Sequence, residues 1–164
     1  MNTYAILLRG VMPTGKNKVP MTQLRDVIRE AGFENVQTYI QSGNVILQTT
    51  LSASELEVRI HDLILKNIGP DLTVVVRTRK EIENVLEMNP FDNQYDISRI
   101  FYVLFKEHPK MENVEKLMAI TFDDEDVKIN TVAGYMFIPH TYGSKKLSNN
   151  FLEKKLGVSA TMRN

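Results

Sequence analysis

The sequence contains no cysteine, which excludes disulfides, thiol nucleophiles and thiolate metal ligands and suits a reducing compartment. It has no net charge either: twenty basic residues balance twenty acidic ones. Such a chain lacks the global field that nonspecific nucleic-acid or acidic-membrane binding leaves in a composition, so any anion site must be local. No apolar run is long enough to span a bilayer. Met1 leads directly into a strand-like segment, without the basic, apolar and small-residue layout of a secretory signal. The expectation is a cytoplasmic protein. Histidine is scarce, and His61, His108 and His140 are too widely spaced for an HExxH or paired-helix ligand set, so no metal is expected.

What is present is a chain of 164 residues and 18.8 kDa, enough for one domain or two small ones sharing a core without disulfides or metals. Residues 3–10, TYAILLRG, form a short apolar run ended by glycine and read as a buried strand. Pro20 opens a helix with Leu24, Val27, Ile28 and Ala31 on one face, and Gly32 stops it. Val36, Thr38 and Ile40 alternate with polar residues and Tyr39 before Ser42-Gly43-Asn44, and the strand resumes at Val45–Leu47, which predicts a hairpin. Ser52 or Ser54 caps a helix carrying Leu56, Ile60, Leu63 and Ile64 as far as Gly69-Pro70, and Leu72–Val76 reads as the next strand. This order, strand, helix, strand, strand, helix, strand, is the ferredoxin-like unit, with two helices on one face of an antiparallel sheet.

A short helix over Lys80–Met88 and a turn-rich stretch over Asn89–Asp96 make residues 80–96 the expected linker. The apolar run ISRIFYVLF then starts a second copy. Val114, Leu117, Met118 and Phe122 mark a helix, Asp123–Asp126 an acidic turn, Val127 and Ile129 a strand, and Tyr135–Ile138 its hairpin partner. A helix over Ser148–Leu156 ends at Gly157, in the position that favours a left-handed residue. The fold class expected is therefore α+β, with tandem ferredoxin-like halves over residues 1–79 and 97–164. A tandem duplication is the reading, with the last strand of the second copy short or missing.

Gly10-Val-Met-Pro-Thr-Gly15-Lys16-Asn17 follows a strand and departs from the phosphate-loop pattern G-x-x-x-x-G-K-[ST] at its last position. Asn17 replaces the hydroxyl that binds magnesium, and Pro13 removes a backbone donor. The surrounding unit is not the parallel sheet that carries such loops, so nucleotide hydrolysis is disfavoured. A weaker reading survives, in which Arg9, Lys16, Asn17, Lys18 and Arg25 hold an anion beside flexible glycines. A solvated basic loop is the bland alternative. Lys145, Lys146, Lys154, Lys155 and Arg163 make the C-terminal region basic, and Ser148, Asn149 and Asn150 begin its helix. If that helix packs near Lys16, Arg163 joins the same ligand-binding set in a cleft between the halves.

Other patterns favour structural explanations. Ser42 lies in a hairpin turn, with no strand-turn-helix elbow and no histidine close in sequence. The run Asp123–Asp126 lacks the glycine and distal glutamate of a calcium loop and reads as a solvated turn. The strand NVILQT carries no aromatic and the RNP1 order is absent, which disfavours nucleic-acid binding of the RRM kind, although Tyr4 and Tyr39 could stack bases from a shared face. No cofactor motif is found.

LLRG, GKNKVPM, AGFENVQTYIQSGNV and the closing KLSNNFLEKKLGVSATMRN together resemble the DUF1697, or SP0830-like, family over nearly the whole chain. The resemblance implies a tandem ferredoxin-like fold and no particular activity. Two departures accompany it: the family loop reads like INVGGKNK where this chain has VMPTGKNK, and the family pattern runs past Arg-Asn into Trp-Asn-Thr where this sequence ends at Asn164. Three functional readings stay open. The chain is a module binding a phosphorylated or carboxylated small molecule, a protein-interaction or self-assembly module such as a homodimer, or an enzyme acting on an anionic substrate or nucleic acid.

Overall fold

The computed structural model describes all 164 residues, and their contacts divide the chain into two compact units, Met1–Ile82 and Glu83–Asn164. In the first, β1 (Asn2–Leu8), α1 (Met21–Glu30), β2 (Glu34–Tyr39), β3 (Asn44–Thr49), α2 (Ala53–Asn67) and β4 (Val74–Thr78) follow in chain order. The sheet order is β2-β3-β1-β4, antiparallel throughout. Tyr4, Ile6 and Leu8 point from β1 to the same side as Val45 and Leu47 of β3 and Val74 and Val76 of β4. There they meet Leu24 and Ile28 of α1 and Leu56, Ile60 and Ile64 of α2. The period of two in the strands and of 3.6 in the helices thus converge on one core. Each large aliphatic side chain buried there contributes about 1.5–3 kcal/mol relative to exposure.

The division between the units falls inside α3 (Arg79–Glu87). The second unit continues with β5 (Ile100–Phe105), α4 (Met111–Met118), β6 (Asp126–Ile129), β7 (Gly134–Phe137), α5 (Asn149–Leu156) and β8 (Ala160–Arg163). Its sheet order, β6-β7-β5-β8, reproduces that of the first unit. Val103, Phe105, Val127 and Met136 form a core with Val114, Leu117, Leu152 and Leu156 of α4 and α5. Tyr135 points to the opposite face, fully buried, and its hydroxyl donates to the Val85 carbonyl oxygen of α3 at 2.7 Å. The fold is therefore α+β, two ferredoxin-like halves with antiparallel sheets.

Several local expectations are corrected. Ile40 does not continue β2; it sits in the turn with φ +49° and is largely exposed, because the hairpin tip bends to bring Gly43 against β1. The strand expected over Leu72–Val76 lies at Val74–Thr78, since β1 offers partners only from Tyr4 to Leu8. Ile97–Arg99 is a 3-10 turn, capped by the Asp96 side chain accepting from the Ser98 amide. α4 ends at Met118, and Phe122 instead packs edge-on against Phe151. The last strand, expected short or missing, is present as the four residues of β8, paired antiparallel with β5.

Candidate functional site

The chain leaves β1 at Leu8 and reaches α1 at Met21 through the loop that carries most of the candidate residues. Its base is pinned by two backbone bonds. Leu8 N–H donates to the Gly43 carbonyl at 2.9 Å, and Arg9 N–H donates to that of Thr73 at 3.0 Å. The loop then closes on itself, with Met12 N–H donating to Asn17 O at 3.0 Å and Lys18 N–H to Gly15 O at 3.2 Å. Gly15 has φ +80°, a conformation other residues adopt only with strain. Val19 is completely buried, and Gln41 Nε2 donates to its carbonyl at 3.1 Å. Gly43 fits so closely that a Cβ there would lie 2.8 Å from Leu8 Cβ and from Val11 Cγ2. The β1–α1 loop, the β2–β3 turn and the start of α1 thus form one cluster at one end of the first sheet.

Four of the candidates expose or half-expose cationic or polar groups in this cluster. Lys16 and Lys18 are exposed and make no ion pair, while Asn17 and Arg9 are half-buried. Arg25 lies on the second turn of α1, its Nε 3.8 Å from Asp26 Oδ1; that Nε is buried without a hydrogen-bond partner. The backbone adds donors. The amides of Thr14, Gly15, Lys16 and Asn17 donate to no protein acceptor, nor do those of Met21, Thr22 and Gln23 in the first turn of α1. The residue before that turn, Pro20, supplies no side-chain cap, and the turn holds no acidic residue. Its helix dipole, equivalent to roughly half a positive charge at this end, is therefore unopposed locally. Helix α1 begins well after Lys16, so the loop does not run into a helix N-terminus as a phosphate loop does.

Arg163 lies in β8 of the second unit, where its Nη1 donates to Thr161 Oγ1 at 2.6 Å and to the Met162 carbonyl at 2.8 Å. Burial holds its pKa below the ordinary arginine value. Lys154 and Lys155 occupy the last turn of α5, ahead of Gly157 with φ +68°.

The second unit contains a polar cluster that sequence reasoning passed over. Glu125, read as part of a solvated turn, is buried, and its Oε2 accepts from the Leu147 amide at 3.1 Å. Its Oε1 lies 3.1 Å from His140 Nε2, close but misaligned, so neither atom makes a true hydrogen bond. On the other side of the ring, His140 Nδ1 lies 2.8 Å from Ser144 Oγ and 3.1 Å from the Thr141 carbonyl. Asp124 Oδ1 is 3.7 Å from His140 Nε2 and 2.7 Å from Lys145 Nζ. The Lys145 ammonium holds Asp124 below the usual carboxylate range, and Asp124 in turn raises Lys145. No short motif links Glu125 to His140. Only the topology, which brings the β7–α5 connection against the start of β6, makes them neighbours.

A cavity of 380 Å³ borders the same acidic segment, lined by Tyr95, Phe122, Asp124, Phe137 and others. The Tyr95 hydroxyl contacts Asp126 Oδ2 at 3.4 Å, and burial, reinforced by that carboxylate, raises its pKa. No helix is long and apolar enough to cross a membrane.

Comparison with known proteins bears on the fold. The family model described as a protein of unknown function, DUF1697, matches residues 1–135. The solved structure of the conserved bacterial protein SP0830 from Streptococcus pneumoniae is similar over 99% of this chain and 92% of its own, with 22% identity and a TM-score of 0.76. At that identity the likeness establishes architecture alone. No curated protein matches the sequence.

Proposed function

We propose that this chain, which belongs to the DUF1697 family, binds a small molecule bearing a phosphate or carboxylate at the loop end of its first sheet. The observation that carries the reading is the pair of unengaged amide runs, Thr14–Asn17 and Met21–Gln23, beside the unpaired ammonium groups of Lys16 and Lys18. Amide donors at a helix start provide directional hydrogen bonds to an anion, and the nearby cations offset its desolvation. Arg25 extends the same set from the next turn of α1. The neutral overall charge fits a discrete site better than a polyanion-binding surface. A cytoplasmic location belongs to the same reading, since a cysteine-free chain suits a reducing compartment.

The experiment is a thermal-shift screen against inorganic phosphate, citrate and sugar phosphates, at low and high salt. A ligand at about a hundred times its Kd stabilises by about 2.7 kcal/mol. The Lys16→Ala/Lys18→Ala double variant should keep the parent melting temperature and lose at least about tenfold in affinity, equivalent to about 1.4 kcal/mol. Equal shifts in parent and variant would refute the site.

A second reading rests on a different surface. Tyr39 and Ile46 are exposed by 69% and 45%, and the β2–β3 register places them on the same outer face of the sheet. Exposed apolar side chains on one sheet face near an edge strand are what self-association uses. Sedimentation across a hundredfold concentration range tests it, and a constant monomer mass would remove it.

A further inference from the structure

The 380 Å³ cavity at the start of β6 falls within the range of roughly 300–1,000 Å³ that small-molecule sites occupy. Its lining is of two kinds. Tyr95 and Phe137, packed edge to face with ring centroids 4.9 Å apart, contribute one aromatic wall, and Phe122 contributes another ring from the segment after α4. The charged lining is entirely acidic, the four consecutive carboxylates of Asp123 to Asp126, with no basic residue among them.

Only one of those four carboxylates has a lysine partner. Asp124 is matched by Lys145 at 2.7 Å. Asp123 makes no ion pair, and Asp126 meets only the Tyr95 hydroxyl, at 3.4 Å. Glu125 is the most demanding of the set, because its side chain is just 3% exposed. Its Oε2 accepts from the Leu147 amide, whereas its Oε1 receives no hydrogen bond. His140 does not supply one: Nδ1 faces the Thr141 carbonyl at 3.1 Å, and Nε2, 3.1 Å from Oε1, is misaligned. Burying a carboxylate oxygen without a donor is costly. A cation in the cavity offsets that cost by charge alone, since Coulomb attraction needs no alignment.

The kind of cation follows from the rest of the lining. No three acidic or histidine side chains converge to hold a metal ion. The rings, in contrast, suit an organic ammonium, and the chain's own lysines already use them so. Lys128 Nζ lies 4.9 Å from the Phe91 centroid and 5.8 Å from that of Tyr95, and Lys146 Nζ lies 5.9 Å from Phe122 and 5.6 Å from Phe151. Neither lysine lines the cavity, so its own charge is left unmatched.

We propose that this cavity binds an aliphatic di- or polyamine. Its ammonium groups meet Asp123 and Asp126 and offset the buried charge of Glu125, while its methylene stem lies against Phe122 and Ile120 and one ammonium approaches the Tyr95 ring. Three carboxylates without a lysine partner favour a ligand with more than one positive charge. The site belongs to the second unit and stands independently of the anion site in the first.

The test is isothermal titration calorimetry of the intact protein with spermidine at low salt, repeated with magnesium chloride in place of the amine. The parent should show saturable binding of spermidine at one site and none of magnesium at the same concentrations. Asp123→Asn/Asp126→Asn should weaken spermidine at least about tenfold. Glu30→Gln/Glu34→Gln, which changes the net charge equally but in the first unit, should leave it unchanged. Glu125→Gln, which keeps an acceptor for the Leu147 amide, should weaken binding as well. Tyr95→Phe should bind as the parent does and Tyr95→Leu at least about threefold more weakly, as the loss of a ring from a cation requires. Far-UV circular dichroism confirms that each variant is folded. No saturable binding in the parent would overturn the proposal, as would magnesium binding as well as spermidine, equal losses in the two double variants, or unchanged affinity in either Glu125→Gln or Tyr95→Leu.

Discussion

Gly43 and Gly15 share a backbone conformation, φ +79° and +80°, and differ in surroundings, so alanine substitutions at the two separate strain from crowding. At Gly15 nothing lies within 4 Å of an added Cβ. The variant suffers only the left-handed conformation, about 1–2 kcal/mol, offset by about 0.4–1 kcal/mol from the stiffer unfolded chain. At Gly43 the same terms apply, and the new methyl also meets Leu8 Cβ and Val11 Cγ2 at 2.8 Å. Relieving that overlap requires the β2–β3 turn to move off β1, at about 1–3 kcal/mol for overpacking. The expectation is that Gly43→Ala destabilises by about 1–3 kcal/mol more than Gly15→Ala, measured by urea unfolding. Adding Val11→Ala should return part of that difference, because the pair then couples favourably. Equal losses at the two glycines would refute the claim that the hairpin tip is wedged against the base of the loop.

Three further outcomes are expected. His61 lies 2.7 Å from Asp71 and 3.1 Å from Asp62, and these carboxylates, Asp71 foremost, raise its pKa. The stability gained from protonated His61 is complete below the ordinary histidine pKa near 6.5 and is lost as pH rises through the raised folded value. An NMR titration should place His61 above 6.5, Asp71→Asn should bring it down, and an unshifted parent value would contradict this. Ser52→Ala removes the capping box in which Ser52 accepts from the Glu55 amide and the Glu55 carboxylate accepts from that of Ser52. It should cost about 1 kcal/mol in urea unfolding. Tyr135→Phe strands the buried Val85 carbonyl of α3 and should cost about 1–2 kcal/mol, whereas a neutral result would mean that water replaces the hydroxyl.

Much of the fold was legible because the local signals are physical. Leu24 and Ile28 sit one helical turn apart and both are buried in α1. Ser52 precedes a run with Glu55 three residues on, which settles the choice between Ser52 and Ser54 in favour of the capping box. Gly157 ends α5 in the left-handed conformation that its position required. The misses have a common cause, which is that partners, not propensity, decide where apolar residues become strands. Leu72 is buried and apolar yet precedes β4 because β1 has already turned away opposite it. Ile40 is β-branched, yet it takes a positive φ to complete a turn held by Gly43.

The sites divide in the same way. Lys16, Lys18 and Arg25 were recognisable as a group because the loop and helix that carry them are contiguous in sequence. Glu125, His140 and Ser144 were not, since the acidic run around Glu125 looked solvated. Only the pairing of β6 with β7 brings Glu125, just ahead of β6, against the loop carrying the histidine.

The anion site is tested most directly by following the backbone amides in two-dimensional NMR while inorganic phosphate is added at low salt. Saturable shifts concentrated at Gly15, Lys16, Asn17, Thr22 and Gln23, abolished in Lys16→Ala/Lys18→Ala, are the expected result. Saturable shifts confined to other parts of the chain, or none at these amides, would contradict it.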